Sequence, residues 1–409
     1  MKITQRARRV EPFYVMELAK AAHELAQHAP PGARPMIHLN IGEPDFTAPA
    51  LVQAAAERAI RDGRSQYTPA TGLPALREAI SGWYAGRFGL AIEPERIVVT
   101  AGASAALQLA CLTLIEAGDE VLMPDPCYPC NRQFVQAAEG RAVLIPCGPE
   151  QRFQLSAAQV QAAWGPATRG VLLASPSNPT GTSIAPEVLA QIARWVRERG
   201  GFTLVDEIYL GLSFDRRYGH SALGLRDAAG AALGDEIISI NSFSKYFSMT
   251  GWRLGWLVLP RALVPAVERL AQNLYICASS IAQHAALACF EPDSLAEYEH
   301  RRAAFKARRD VFIPALERLG LSVPVWPDGA FYAWADVRHW CRRWGIAPTA
   351  QGDQGGSWAL AHELLRRCQL VTTPGRDFGV AEPGHYLRFS TARSMDQLQQ
   401  AVARLEQAQ

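Results

Sequence analysis

One lysine, Lys245, sits among small and hydroxyl residues in the run Ser242-Phe243-Ser244-Lys245-Tyr246-Phe247-Ser248-Met249-Thr250-Gly251-Trp252-Arg253-Leu254-Gly255-Trp256. A lysine amine forms an imine with an aldehyde. Arg253, with a glycine two residues away on either side, and the hydroxyl of Ser242 are groups that hold a phosphate. Asp206 ends the apolar run Leu204-Val205, where a carboxylate can keep a protonated ring nitrogen charged. Tyr209 follows and can donate to a phenolic oxygen. Asn178, in the loop Ser175-Pro176-Ser177-Asn178-Pro179-Thr180-Gly181, can donate to the same oxygen. Tyr128, after Asp125-Pro126-Cys127, can stack on an aromatic ring. Arg388 stands between Leu387 and Phe389, and a guanidinium on such a strand needs a carboxylate.

Each residue taken alone has a plainer reading. Lys245 would be part of a basic loop after a buried strand, Asp206 a helix N-cap, and Asn178 a turn residue. Tyr128 would be a surface aromatic, and Arg388 half of an internal salt bridge. Together they supply an imine lysine, an acid for a ring nitrogen, donors to a phenolic oxygen, a phosphate seat and a carboxylate clamp. Those are the requirements of pyridoxal 5'-phosphate (PLP) acting on an amino acid.

The elements that must position these residues alternate. Strands are predicted at residues 97–100, 120–123, 142–145, 170–174, 203–205 and 236–240. Helices are predicted at 49–62, 73–88, 104–115, 131–138, 156–164 and 186–199. This alternation predicts an α/β fold with a mostly parallel sheet covered on both faces, of the seven-stranded type. Ligands on such sheets bind at the carboxyl ends of the strands. The unusual motifs fall there: Gly102 to Ser104, Asp125 to Tyr128, Ser175 to Gly181, Asp206 to Tyr209, and Ser242 to Lys245. Ala101-Gly102-Ala103-Ser104 opens a helix, so the unpaired N–H groups of Ala103 and Ser104 make an anion seat.

Residues 261–290 read as a helical, Ala-rich stretch long enough to connect two domains, with the boundary near its end. Beyond them lie a basic helix at 298–319, strands at 323–325, 330–334, 370–373 and 386–389, and helices at 358–367 and the C-terminus. Near the N-terminus a helix is predicted at 15–27 and a short strand from Ile37, followed by a Gly/Pro turn. The Gly- and Gln-rich segment 346–357 reads as a loop or insertion. The expected division is a large PLP-binding domain at 46–290 and a smaller α+β domain from the two chain ends, residues 291–409 with the N-terminal segment 1–45 joining them.

Composition narrows the class. The chain has 409 residues, enough for two domains, and a net charge of +2, too small to imply a nucleic-acid surface. No run approaches the roughly 20 apolar residues of a membrane span, and no apolar stretch follows the basic start. Eight scattered cysteines suit a reducing cytoplasmic compartment. Cys127 and Cys130 have C-x-x-C spacing, but no second pair exists to complete a zinc site, so no metal is expected.

The motifs, in this order, resemble the class I/II aminotransferases of the fold type I PLP enzymes, the aspartate aminotransferase superfamily. The likeness spans nearly the whole chain. It is carried by Asn40 to Phe46, Ser175 to Gly181, Asp206 to Tyr209, Ser242 to Gly255, Pro374 to Phe378 and Arg388. The resemblance implies that Lys245 carries the cofactor and acts as general base, and that Asp206 pairs with the pyridinium. Asn178 and Tyr209 would meet the phenolic oxygen, and Tyr128 would stack on the ring. Ser242, Arg253 and the N–H groups of Ala103 and Ser104 would hold the phosphate. Tyr67 would reach the phosphate in a neighbouring subunit of a homodimer. Arg388 would clamp the α-carboxylate beside the Gly42 backbone, with Asn178. The implied reaction is ping-pong transfer of an amino group between an L-amino acid and a 2-oxo acid.

A neutral or aromatic donor is expected, because no lysine or arginine lies between Thr100 and Cys130 to pair a second carboxylate. An aspartate-specific transaminase and a carbon–sulfur β-lyase are the alternatives. A third is an effector-binding domain of a transcription regulator, but the motifs begin at Asn40, too early for a fused DNA-binding domain.

Overall fold

The computed structural model describes residues 1–10, 12–28, 30–227, 229–347 and 355–409. Its largest sheet collects strands from the middle of the chain. After β1 (Ile37–His38) come β2 (Ile97–Thr100), β3 (Glu120–Asp125), β4 (Arg141–Pro146), β5 (Thr168–Ala174), β6 (Phe202–Asp206), β7 (Ile237–Ser242) and β8 (Gly255–Val258). The seven strands β2 to β8 lie in the order β2-β8-β7-β6-β5-β3-β4. The pairs β3–β4, β3–β5, β5–β6 and β6–β7 are parallel, and β8 runs antiparallel to both β7 and β2.

The sheet is therefore mostly parallel, as the alternation predicts, with one strand the sequence reading left out. Gly255–Val258 is only four residues of apolar sequence directly after the lysine–arginine segment. Its reversal matters for the site. A strand antiparallel to β7 begins where β7 ends, so Arg253 returns to the same edge as Ser242 and Lys245.

Burial on both faces explains the apolar strands. β2, β7 and β8 are buried throughout. One face packs on the helices Ala103–Leu114 and Val264–Leu274, through residues such as Ala106, Ala110, Val267 and Ala271. The other packs on Ala157–Ala163 and Pro186–Arg197. Pro186–Arg197 begins with proline at its first turn, and it buries Leu189, Ile192, Ala193 and Val196, one stripe at helical spacing.

A second core joins the two chain ends. Leu18 and Ala22 of the helix Tyr14–Gln27, with Ile37 and Leu39, pack among Phe312, Leu316, Leu364, Leu387, Phe389 and Leu398. The strands here are β9 (Tyr332–Asp336), β10 (Leu370–Val371), β11 (Thr373–Pro374) and β12 (Tyr386–Ser390). β1 pairs with β10 in parallel, and β11-β12-β9 form an antiparallel sheet. Long-range bonds tie the ends together. Asp377 accepts from the first N–H groups of the helix Tyr14–Gln27, Tyr14 N at 2.8 Å and Val15 N at 2.9 Å. Buried Arg308 forks onto Asp45 at 2.7 and 2.9 Å.

Several expected boundaries shift. The stretch 261–290 is two helices, Val264–Leu274 and Ser280–Ala286, with short 3-10 turns at its ends. The chain breaks between the two helices, where Ile276 takes φ 66°. The basic helix starts earlier, at Pro292, where proline suits a first turn, and ends at Arg318. Residues 323–325 form no strand, and only the single bridge Ser322–Asp336 pairs there. The run 370–373 splits at Thr372 into β10 and β11, which join different sheets. Most of the loop expected at 346–357 lies outside the described residues. No helix among the described residues is long and apolar enough to cross a membrane.

Candidate active site

Five strands that run the same way, β2, β3, β5, β6 and β7, and the start of β8 deliver most of the expected residues to one edge. Asp206 is the last residue of β6, in register with Ala174 of β5 and Ile240 of β7. Ser242 ends β7 opposite Gly255. Asp125 ends β3, and Thr100 ends β2.

The Lys245 amine donates to the Gly42 carbonyl at 2.6 Å. Burial lowers it to about 8; Glu43 opposes that shift, while Arg388 and Arg253 add to it. Tyr246 holds the segment in place. Its hydroxyl donates to Glu299 at 2.7 Å, and the same carboxylate receives Arg87 at 2.5 Å and Arg302 at 2.8 Å.

Asp206 is buried, and its Oδ1 accepts from Ile208 N at 3.1 Å. Burial, assisted by the neighbouring Glu207, pushes its carboxyl up to about 7. Glu207 points its carboxylate at Ser221 Oγ (2.9 Å), Ala222 N (2.6 Å) and Ser239 Oγ (2.6 Å), which pins the turn leading to Tyr209. Tyr209 is buried, with its hydroxyl 2.7 Å from that of Tyr332. Tyr128 is half-buried at the start of the helix Pro129–Ala137, and burial raises its phenol, with Cys130, Tyr332 and Asp206 adding to the effect.

Arg388 is 6% exposed. Its Nη1 donates to Asn178 Oδ1 at 2.7 Å, and its Nη2 to the Asn40 carbonyl at 2.7 Å and Thr373 Oγ1 at 3.2 Å. The guanidinium also lies 4.4 Å from the Tyr332 ring centre and 4.9 Å from that of Phe378. Among the described residues no carboxylate forms an ion pair with it. Since arginine only donates, the Asn178 amide must turn its oxygen to Arg388, which leaves its Nδ2 hydrogens for another acceptor.

The anion seat is also assembled. Gly102 caps the helix Ala103–Leu114 at φ 88°, and a Cβ there would fall 2.6 Å from Arg253 Nη2. Ala105 N and Ala106 N take the first bonds, to Gly102 O, so the N–H groups of Ala103 and Ser104 precede the helical ladder. Ser242 fits less directly. Its hydroxyl accepts from Ser244 N at 3.0 Å and donates to Leu254 O at 3.3 Å, and it would have to turn to reach a phosphate. Tyr67 is not part of the cluster: it is 82% exposed on a loop pinned by buried Gln283, which bonds Thr68 Oγ1 at 3.0 Å and Leu73 N at 2.8 Å.

The sequence reading missed the Tyr332 hydroxyl, Thr373, the Asn40 carbonyl and Glu43. Asn40 and Glu43 lie inside a quoted motif, and Thr373 stands just before Pro374. Only Tyr332 carried no local signal beyond its ring.

These groups fit PLP. A depressed amine and a buried carboxyl, neither of them in an ion pair among the described residues, and exposed helix N–H groups beside an arginine match an aldehyde, a pyridinium and a phosphate. No group of three or more His, Cys, Asp or Glu among the described residues could hold a metal ion.

Comparison with known proteins agrees. Residues 34–405 match the family model for aminotransferase class I and II. The chain is 37% identical over 397 residues to a valine–pyruvate aminotransferase of Mycobacterium tuberculosis, covering 97% of this chain and 96% of that protein. It is 33% identical to an aspartate aminotransferase of Rhizobium meliloti, covering 98% and 95%. A solved single mutant of the Thermus thermophilus aspartate aminotransferase superposes with a TM-score of 0.88 at 30% identity, over all of both chains. With Lys245, Asp206 and Arg253 gathered at one edge of the large sheet, Arg388 brought in from the smaller sheet, and that likeness along its length, the chain belongs to the class I and II aminotransferases, transferases that work with PLP.

Proposed function

We propose that this aminotransferase moves the amino group of a neutral or aromatic L-amino acid to a 2-oxo acid in two half-reactions with ping-pong kinetics. One observation carries the substrate reading: Arg388 is a buried guanidinium whose hydrogen bonds go to Asn178, Asn40 and Thr373, with no carboxylate in an ion pair with it among the described residues. A buried cation of this kind is costly until a carboxylate pairs with it, and an amino acid brings one.

The residues then divide the work. Bound PLP supplies the electron sink that acidifies the substrate Cα–H. Asp206, ionised beside a pyridinium, keeps that ring nitrogen protonated. Tyr209 and Asn178 Nδ2 donate to the phenolic oxygen. Arg253 and the Ala103 and Ser104 N–H groups hold the phosphate, with Ser242 after its hydroxyl turns, and Tyr128 covers the ring. Arg388 and Asn178 hold the substrate carboxylate and so fix the direction of the Cα–H bond. Lys245 carries the cofactor at rest and moves the Cα proton when released. An amine held near 8 is well placed for a general base at neutral pH.

The neutral preference rests on the aromatic faces of Tyr332 and Phe378 around the clamp, and it agrees with the valine–pyruvate name of one relative. A second reading, an aspartate-using enzyme, has its own support. Relatives in R. meliloti and T. thermophilus are named aspartate aminotransferases. Arg132, one helical turn beyond Tyr128, is half-buried, gives one bond to Asp377 O at 3.1 Å and has a buried Nε without a partner. It is a cation that could meet a second carboxylate. Comparing kcat/KM for alanine, valine, phenylalanine and aspartate at fixed 2-oxo acid separates the two. Aspartate ahead by about tenfold, roughly 1.4 kcal/mol, would replace the neutral reading.

We also take residues 46–290 as the PLP-binding domain and residues 1–45 with 291–409 as the smaller one. The working unit would be a homodimer in which Tyr67 completes the partner's phosphate seat. The second core, built from both chain ends, and the exposure of Tyr67 support these readings.

A further inference from the structure

Tyr332 touches both halves of the site. Its hydroxyl lies 2.7 Å from that of Tyr209, and its ring lies 4.4 Å from the Arg388 guanidinium. The side chain is 1% exposed. Gly42, whose carbonyl receives Lys245, closes over the hydroxyl: a Cβ at position 42 would fall 2.5 Å from it. The two phenols meet edge to face, with ring centres 5.6 Å apart.

Two hydroxyls sharing one hydrogen bond must divide the roles, one donating and one accepting. Tyr209 has a single hydrogen. If that hydrogen goes to the phenolic oxygen of the cofactor, Tyr209 must accept from Tyr332. We propose that Tyr332 is a positioning residue that donates to Tyr209, orients its hydroxyl and strengthens it as a donor to the cofactor. The proposal rests on the role of Tyr209 given above. Burial holds both phenols neutral, so each keeps the hydrogen this order requires. A bond received by a hydroxyl polarises the bond it gives, which is the physical link between the two tyrosines. The hydrogen bond to Tyr209 is what a tyrosine adds over a phenylalanine at position 332. A ring without the hydroxyl would still pack under Arg388 and against the Tyr209 ring, but only the hydroxyl can bond to that of Tyr209.

The test is the visible absorbance of the PLP-loaded protein against pH. The proton on the Lys245 imine nitrogen is shared with the phenolic oxygen, so a donor to that oxygen favours its loss. Removing the donor raises the midpoint. Tyr209→Phe should raise it by roughly one to two pH units, the range of a charge-assisted hydrogen bond. Tyr332→Phe should raise it by about 0.2 to 0.5 units, the fraction that a polarising neighbour contributes. The double variant should match Tyr209→Phe alone, because Tyr332 acts through Tyr209. Tyr332→Phe keeps the ring under Arg388, so KM for the amino donor should stay within about twofold. An unshifted midpoint in Tyr332→Phe, with Tyr209→Phe shifted, overturns the proposal and leaves the role of Tyr209 standing. A Tyr332→Phe shift that persists without the Tyr209 hydroxyl also overturns it. No shift in Tyr209→Phe removes the role of Tyr209 and the proposal together.

Discussion

Replacing Arg388 with lysine keeps the positive charge and removes the fork. The guanidinium serves three protein acceptors at once: Asn178 Oδ1 at 2.7 Å, Asn40 O at 2.7 Å and Thr373 Oγ1 at 3.2 Å. It does so with two of its nitrogens, each carrying two hydrogens, in one plane. A lysine ammonium has three hydrogens around a single nitrogen. It can satisfy Asn40 and Asn178 or face a substrate carboxylate with two bonds, but not both. The carboxylate therefore loses one charge-assisted bond, about 1.5 to 3 kcal/mol. That predicts roughly a 10- to 150-fold loss in kcat/KM for an amino acid. The clamp touches a group that does not react, so its bond is equally strong before and during proton transfer. Most of the loss should then appear in KM. The assay is steady-state transamination of alanine, run beside the half-reaction of an amine that lacks the carboxylate. Because the charge is retained, general electrostatics cannot account for a large effect. A variant within twofold of the wild type would refute the reasoning, and so would an equal loss with the carboxylate-free amine.

Three further outcomes follow from the same geometry. Borohydride reduction of the PLP-loaded protein should fix the label on Lys245, and Lys245→Ala should lose transamination by several orders of magnitude; label on Lys20 or Lys306 would end that assignment. Asp206 bears on stability as well as turnover. Its folded-state value, about 7, lies above the ordinary 3.8, so its contribution to the stability of cofactor-stripped protein falls as pH rises from about 4 to 7. Stripped Asp206→Asn should therefore melt above the wild type at pH 8, with the gap closing toward pH 5, while the PLP-loaded variant turns over poorly. A stripped variant that melts below the wild type at pH 8 would contradict the burial argument. Tyr67→Phe and Lys245→Ala should each be impaired alone, yet mixed and reassembled subunits should recover activity, since one site of each hybrid would then have both groups. Mixtures no more active than their separate components would show that Tyr67 serves no neighbouring site.

Much of the chemistry was legible because it is local. Asp206 and Tyr209 lie within four residues, Lys245 and Arg253 within nine, and each group follows a short β-branched or apolar run. In a parallel sheet every such run ends at the same edge, so strand–helix alternation alone gathers Asp206, Asn178, Tyr128 and Lys245. The sequence could not say that β8 turns back, because no local signal fixes a strand's direction and its partners are chosen by the sheet.

Nor could it supply the partners that aim the side chains. Arg388 meets Asn178 across 210 positions and Asn40 across 348. Tyr209 meets Tyr332 across 123, and Asp377 caps a helix 363 residues away. The two chain ends build one core only because β1 finds β10 beside it. Residue type and spacing along the chain determine which chemistry is possible. Which hydrogen goes to which oxygen is decided in three dimensions, because hydrogen bonds depend on distance and direction and not on separation in sequence.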